Sequence, residues 1–271
     1  MSDSPTKWRP STYLTASAIL HLSAAAALIA WPGYWPWILG ALGLDHGGLA
    51  LGGLLPRSRL LGSNLRRVPA SHLGPNEVVL TFDDGPDPEV TPRVVELLDL
   101  AGCSASFFFI GQEAERFGEI AEETARRGNG VENHSYGHSK AFAFYGTGRL
   151  GREIDRAQDV LASVSGRMPR YFRAPAGIRS FCLDPVLHRR GLMLVSWTHR
   201  GFDTVERRPE IVARRLVRRL APGDVLMLHD GSSCRDRRGE PVVLETLKRV
   251  LEILERRGLR GVGLPASLPL E

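Results

Sequence analysis

The chain has 271 residues, 43% hydrophobic, 24% charged and 7% aromatic, which allows one large domain or two small ones and excludes a disordered, collagen-like or disulfide-scaffold protein. Its three cysteines, Cys103, Cys182 and Cys234, form no C-x-x-C pair, which argues against a thiol redox centre or a cysteine zinc site. The net charge of +5 is local, because residues 57–67 hold Arg57, Arg59, Arg66 and Arg67 with no acid while the rest of the chain is near balance; without a basic face on the folded domain, no nucleic-acid partner is expected.

From Pro10 to Leu44 no Asp, Glu, Lys or Arg occurs. Residues 14–31 read as a helix rich in Ala, Leu and Ile, with His21 its one strongly polar residue. They approach the roughly 20 residues that cross a bilayer core. Tyr13 and Trp31 stand where interfacial aromatics belong, Pro32-Gly33 breaks the helix, and Trp35-Pro36-Trp37 continues the aromatic belt. Residues 38–55 carry six glycines and the pair Asp45-His46. They form either a second span closing a hairpin or a helix lying on the surface. The hairpin is preferred, although a charge at mid-bilayer costs about 2.5–3.5 kcal/mol on insertion scales. A cleaved signal peptide and a buried core helix are the alternatives. The apolar run is long for a signal peptide, and no polar residues repeat at helical period to give a core helix a wet face.

Two basic residues precede the apolar region and four follow it. By the positive-inside rule, the C-terminal domain then faces the cytoplasm at the inner, or cell, membrane. The expected division is residues 1–65, a membrane anchor of one or two helices with a basic linker, and residues 66–271, a catalytic domain.

After Arg67 strands and helices alternate. Strands are expected at 77–82, 106–110, 130–133, 170–173, 192–197, 224–228 and 259–262, and helices at 90–100, 113–127, 149–164, 182–190, 209–220 and 242–257. Repeated βα units imply a parallel sheet with helices outside, either a small barrel or an open doubly wound sheet. Such sheets place their sites at the strand C-terminal ends.

Polar clusters follow five of these strands. The first ends in Asp83-Asp84-Gly85-Pro86, where neighbouring carboxylates point in opposite directions, so that one can hold a metal while the other faces the reacting atom. Alone, the pair reads first as a turn or helix cap. His134 and His138, four apart after the third strand, can share a metal if the segment turns helically, with Asp84 as the carboxylate partner. Two histidines and one carboxylate leave open positions, which marks a catalytic metal site rather than a structural one. His229, beside Asp230, is a candidate general acid. Arg173 at a strand tip can hold a neighbouring carboxylate ionised and fix its rotamer.

Thr81-Phe82-Asp83-Asp84-Gly85-Pro86, His134-Ser135-x-x-His138, Arg173-x-Pro175, Trp197 with Asp203, and Met227-Leu228-His229 occur in one order. Together they resemble the five motifs of the polysaccharide deacetylases, the NodB-homology carbohydrate esterases, over about residues 77–264. The resemblance implies a distorted (β/α) barrel of the NodB-homology type behind an N-terminal membrane segment. It implies a divalent metal, zinc first, with cobalt, manganese or nickel as alternatives, held by Asp84, His134 and His138. It also implies Asp83 as general base, His229 as general acid, and Arg173 and Asp203 as the groups that orient them. Pro175, Ala176, Trp197 and Met227 would line the sugar site. Met227 stands where the family has leucine, and Ala176 stands where it often has an aromatic, which removes a sugar-stacking surface.

The expected reaction is hydrolysis of an N-acyl group from an amino sugar, giving acetate and the free amine. The expected substrate is an acylated amino-sugar glycan or, given the cytoplasmic orientation, a polyprenyl-phosphate-linked sugar, with membrane lipid as a further partner. Two other classes compete: a catalytically inactive glycan-binding module on the same fold, and a membrane adaptor that uses the arginine cluster to hold anionic lipid. The first requires loss of a ligand or of Asp83, and none is lost. The second leaves the five polar clusters unexplained.

Overall fold

Residues 7–266 and 268 are described by the computed structural model of the protein. The outermost residues of the two expected segments, 1–6, 267 and 269–271, lie outside it. Helix α1 (Thr12–Ala30) starts at Ser11, whose side chain accepts from the Leu14 N–H. Helix α2 (Trp35–Leu54) has Pro36 in its first turn, where the missing N–H costs nothing. The two pack as an antiparallel pair. Among the described residues α1 alone is long and apolar enough to cross a membrane. Only Ser17 and Ala24 of α1 are buried, so α1 is not the core helix that was one alternative.

Asp45 faces into this pair, not outward. Its carboxylate accepts the Ser17 hydroxyl at 2.7 Å, and its carbonyl accepts the Tyr13 hydroxyl at 3.0 Å. A Cβ on Gly48 would lie 2.0 Å from the Tyr13 oxygen, so glycine is what lets the helices approach. Small residues and interhelical hydrogen bonds are the usual means of pairing helices in lipid.

The remainder alternates β1 (Glu77–Asp83), α3 (Thr91–Leu100), β2 (Ser106–Phe109), α4 (Gly111–Arg116), α5 (Gly118–Arg126), β3 (Gly130–Asn133), α6 (Thr147–Ser165), β4 (Tyr171–Phe172), α7 (Leu183–His188), β5 (Met193–Leu194), β6 (His199–Arg200), α8 (Pro209–Val217), β7 (Val225–His229), α9 (Val242–Arg256) and β8 (Arg260–Val262). All strand pairs are parallel, in the order β5-β4-β3-β2-β1-β7-β6, with β8 against the first half of β1. This is the expected distorted barrel. Its strands alternate between two cores: Leu80, Phe82, Phe107, Leu226 and Leu228 face the helices, while Val79, Phe108, Tyr171, Val225 and Met227 fill the barrel interior.

Two expectations differ in detail. The single helix at 113–127 is two, broken at Phe117, where φ is −122° and ψ is 47°. Gly118, which follows, is a poor residue to carry a helix through. The strand at 192–197 joins β4 only over Met193–Leu194, and a separate strand, β6, forms beyond Trp197.

The linker is part of the barrel wall. The sheet is open between β5 and β6, and the segment after α2 lies in that gap. Leu65 donates to the Leu194 carbonyl at 2.9 Å and accepts from the Ser196 N–H at 2.8 Å, while Val68 donates to Gly223 at 2.8 Å. Leu61, Asn64 and Val68 are buried. The boundary expected between 65 and 66 therefore falls inside a segment that is hydrogen-bonded to the sheet. Three of the four arginines are tied to the barrel. Arg57 donates to the Thr198 carbonyl, just before β6, and Arg66 reaches back to the Arg57 carbonyl. Arg67 is committed to Pro222 and Asp224, just before β7.

Candidate active site

Asp83 is the last residue of β1, and its side chain falls on the interior face with Val79 and Thr81. It is buried, and its carboxylate accepts Arg173 Nη1 at 2.5 Å. Arg173 has no exposed surface to speak of (1%), so all its donors must be used. Nη1 also donates to Thr81 Oγ1 at 2.9 Å, Nη2 to the Ser196 carbonyl at 3.2 Å and Nε to the Val195 carbonyl at 3.3 Å, and the guanidinium lies 4.1 Å from the Phe108 ring centroid. Burial pushes its pKa down, and Asp83 and Asp84 oppose this. The pair is a fixed ion pair under the site.

Asp84 turns the other way because its backbone is left-handed, φ +76°. Its Oδ1 stands 3.2 Å from His134 Nε2 and 3.3 Å from His138 Nε2. Its other oxygen accepts the Ser232 hydroxyl. Burial alone would raise its pKa, but the His134 hydrogen bond and the three histidine charges hold it well below the carboxylate range. His134 donates from Nδ1 to the Arg173 carbonyl at 2.8 Å, which orients the ring and turns Nε2 toward Asp84. The two imidazoles do not meet on a helical turn. A tight loop with φ +65° at Ser135 and +43° at His138 joins them, and it is held by Asn133 Oδ1 on the Ser135 N–H and Ser135 Oγ on the His138 N–H. Burial and the neighbouring His134 lower the His138 pKa to about 4.

These three groups fit a divalent metal. Donors about 2.0–2.2 Å from a tetrahedral zinc stand about 3.4 Å from one another, close to the two separations observed. The set is two nitrogens and one oxygen within 4.8 Å of one another, and further coordination positions remain.

His229 ends β7, directly beside Asp83 in the register. Asp203 grips it twice, accepting Nδ1 at 2.9 Å and the backbone N–H at 2.7 Å. Burial depresses the His229 pKa, but the Asp203 charge and hydrogen bond, with Asp83 and Asp84 behind them, raise it to about 9. Met227 lies one pleat below, 2% exposed among Val195, Trp197 and Tyr171. The structure thus places it in the packed floor of the site. Trp197 is 7% exposed, with its ring edge against Gly177. Pro175 is buried and Ala176 exposed, on a turn with φ +54° at Ala176 and +72° at Gly177.

The family model for polysaccharide deacetylases matches residues 70–194. The chitooligosaccharide deacetylase of Azorhizobium caulinodans is 32% identical over 201 residues, 70% of this chain and 93% of that protein. The chain belongs to the polysaccharide deacetylase family. A peptidoglycan-N-acetylglucosamine deacetylase of Bacillus cereus is 28% identical over 193 residues, 70% of this chain and 67% of its own length. The solved structure of a peptidoglycan N-acetylglucosamine deacetylase matches with a TM-score of 0.68 at 26% identity, over 75% of this chain and 92% of that one.

In this member of the family several supporting residues are not singled out by the motifs. Asp230 accepts the Thr91 hydroxyl at 2.5 Å, and burial raises its pKa to about 7. A Cβ on Gly231 would lie 2.0 Å from the Asp84 carbonyl, and one on Gly85 would lie 2.1 Å from Asp230. The signal for these was the glycine after each catalytic-loop acid, a mark of close backbone approach. Pro56 had no signal at all, yet it packs against the same Gly177 position as Trp197. A cavity of about 840 Å³ opens elsewhere, among Lys7, Arg9, Arg59, Arg67 and Asp184, and the ligand cluster takes no part in it.

Proposed function

We propose that this chain is a metal-dependent hydrolase that removes the N-acetyl group of an acylated amino sugar, and that α1 and α2 hold it at a membrane. The observation that carries the reading is one ligand cluster flanked by two buried groups with separate partners, Asp83 on Arg173 and His229 on Asp203. Relatives named for deacetylation of chitooligosaccharide and peptidoglycan support the reaction class.

Asp84, His134 and His138 would hold the divalent cation, zinc first, which when bound polarises the amide carbonyl and acidifies water. Asp83, kept in one rotamer by Arg173, takes the proton of the attacking water. His229 is protonated at neutral pH. Its Nδ1 is committed to Asp203, so Nε2 delivers the proton to the departing sugar amine. The Ala176 N–H is the donor assigned to the developing oxyanion, a role that needs no side chain. Pro175 and Trp197 wall the acyl and sugar side, above Met227.

The substrate assigned is a polyprenyl-phosphate-linked acyl amino sugar at the cytoplasmic face of the cell membrane. The outward apolar surface of α1, the positive flank at Arg57 and Arg66, and the packing of Pro56 beside Trp197 support it. Tethering raises the local concentration of a membrane-bound substrate and gives no advantage on a soluble polymer. Full-length protein in liposomes should show a higher kcat/KM on a polyprenyl-phosphate-linked acetamido sugar than on chitin or peptidoglycan oligomers. Equal or better rates on the oligomers would sink the lipid-linked assignment and leave wall-glycan deacetylation in its place.

A further inference from the structure

The helix pair joins the barrel at the end that carries the ligand cluster. The Gly53 carbonyl of α2 accepts the Arg179 N–H at 3.2 Å, in the loop after β4, and Pro56 lies on Gly177 of the same loop. At the start of α1, Ser11 bonds the Leu60 carbonyl and Trp8 bonds Asp184, in the first turn of α7. Helices of a βα barrel begin at the strand C-terminal end, so both ends of the helix pair meet the active-site rim.

That rim is apolar at its tips. Phe144, in the loop after β3, is 89% exposed, Phe181, after β4, 53%, and Phe202 and Val205, after β6, 45% and 72%. Single exposed apolar residues are ordinary. These four stand on three loops of one face, and Phe181 is two residues from the Arg179 that binds α2. Exposed cations flank them: Lys140 precedes Phe144 and Arg207 follows Val205. Aromatic and aliphatic tips ringed by Lys and Arg are the composition that seats in the headgroup zone of an anionic bilayer.

We propose that the active-site face itself docks on the bilayer, with Phe144, Phe181, Phe202 and Val205 inserted among the lipid headgroups beside the helix pair. The occupant is lipid, because this surface is continuous with a helix pair whose apolar side chains already face outward. The proposal rests on the reading that α1 and α2 enter a bilayer. Its consequence is that the ligand cluster opens onto the membrane plane, within reach of an amino sugar on a lipid phosphate and turned away from long soluble glycans.

The test uses the full chain in vesicles of zwitterionic and anionic phospholipid carrying a diazirine near the glycerol end of the acyl chain. After irradiation, lipid adducts are mapped by peptide mass spectrometry. Adducts are expected in residues 12–54 and also at Phe144, Phe181 and the Phe202–Val205 loop. None is expected at Leu100 or Met168, which are 79% and 60% exposed at the opposite end of the barrel. Phe144→Ser should lower adduct yield in its own loop several-fold and leave hydrolysis of a soluble acetylated amino sugar unchanged. Adducts confined to residues 12–54, or equally abundant at Leu100, would overturn the docking. So would rim loops free of lipid adducts but hidden from an aqueous carbene reagent, which would assign the face to a second copy of the chain. Adducts at the rim without preference for a lipid-linked sugar would retain the docking and remove the substrate assignment, so the two fail separately.

Discussion

Asp83 and His229 sit side by side at the ends of β1 and β7, and each is held by a different partner. Arg173 presents a fixed positive charge to Asp83, whereas Asp203 presents a negative one to His229. Asp203→Asn removes the charge and weakens the hydrogen bond that raise the His229 pKa to about 9. The acid form is the working form, so activity is lost as pH rises through that pKa. In the variant the basic limb of kcat/KM moves to lower pH, and the deficit at pH 8 exceeds that at pH 6. A pH profile with an unmoved basic limb would remove His229 from the role of acid. Asp83→Asn should keep its metal and lose about 100- to 10,000-fold in turnover. Loss of metal in that variant, read by elemental analysis, would mean that the roles of the two aspartates are exchanged. Chelation should abolish activity and added zinc, cobalt or manganese restore it. Full turnover by metal-free protein would refute the ligand assignment.

At the scale of the elements, β3 carries a buried carboxyl whose effect is on stability. Glu132 accepts the N–H groups of Arg170 and Tyr171, both at 2.9 Å, yet burial outweighs them and raises its pKa from 4.5 to about 7. A raised carboxyl pKa means that the folded state holds the proton more tightly than the unfolded chain. The stabilisation is complete below about pH 4.5 and fades as pH rises toward 7, by about 3 kcal/mol in all. Glu132→Gln should flatten that part of the stability profile, measured by thermal unfolding between pH 4.5 and 7.5. An unchanged slope would place the titration elsewhere. The segment 65–68 is an element in its own right, filling the gap between β5 and β6. A fragment beginning at residue 57 should fold and hydrolyse a small acetylated amino sugar. One beginning at 69 loses the Leu65 and Val68 hydrogen bonds and should melt lower or fail to fold. Equal melting of the two would show that the gap tolerates being open.

For the whole molecule, the seam between helix pair and barrel is what ties α1 and α2 to the fold that carries the ligand cluster. A Cβ at Gly53 would lie 2.3 Å from the Arg179 carbonyl, and backbone cannot easily give way. Gly53→Val should therefore loosen the seam, seen as faster proteolysis within residues 55–63, while turnover of a small soluble sugar holds. The sequence by itself determined the βα alternation, the five clusters and their order, and the uncharged N-terminal stretch, because hydrophobic period and motif spacing are local properties of the chain. Its reading of Asp45 as an obstacle to membrane insertion was incomplete. The cost of a charge depends on its partners, and Ser17 and Tyr13, 28 and 32 residues away, became partners only when the helices paired. The same reason hid the linker's place in the barrel, Ser232 on Asp84, and Pro56 beside Trp197. Each is a contact between segments far apart in the chain, with no period or spacing to announce it, and only the folded barrel decides which distant groups must find each other.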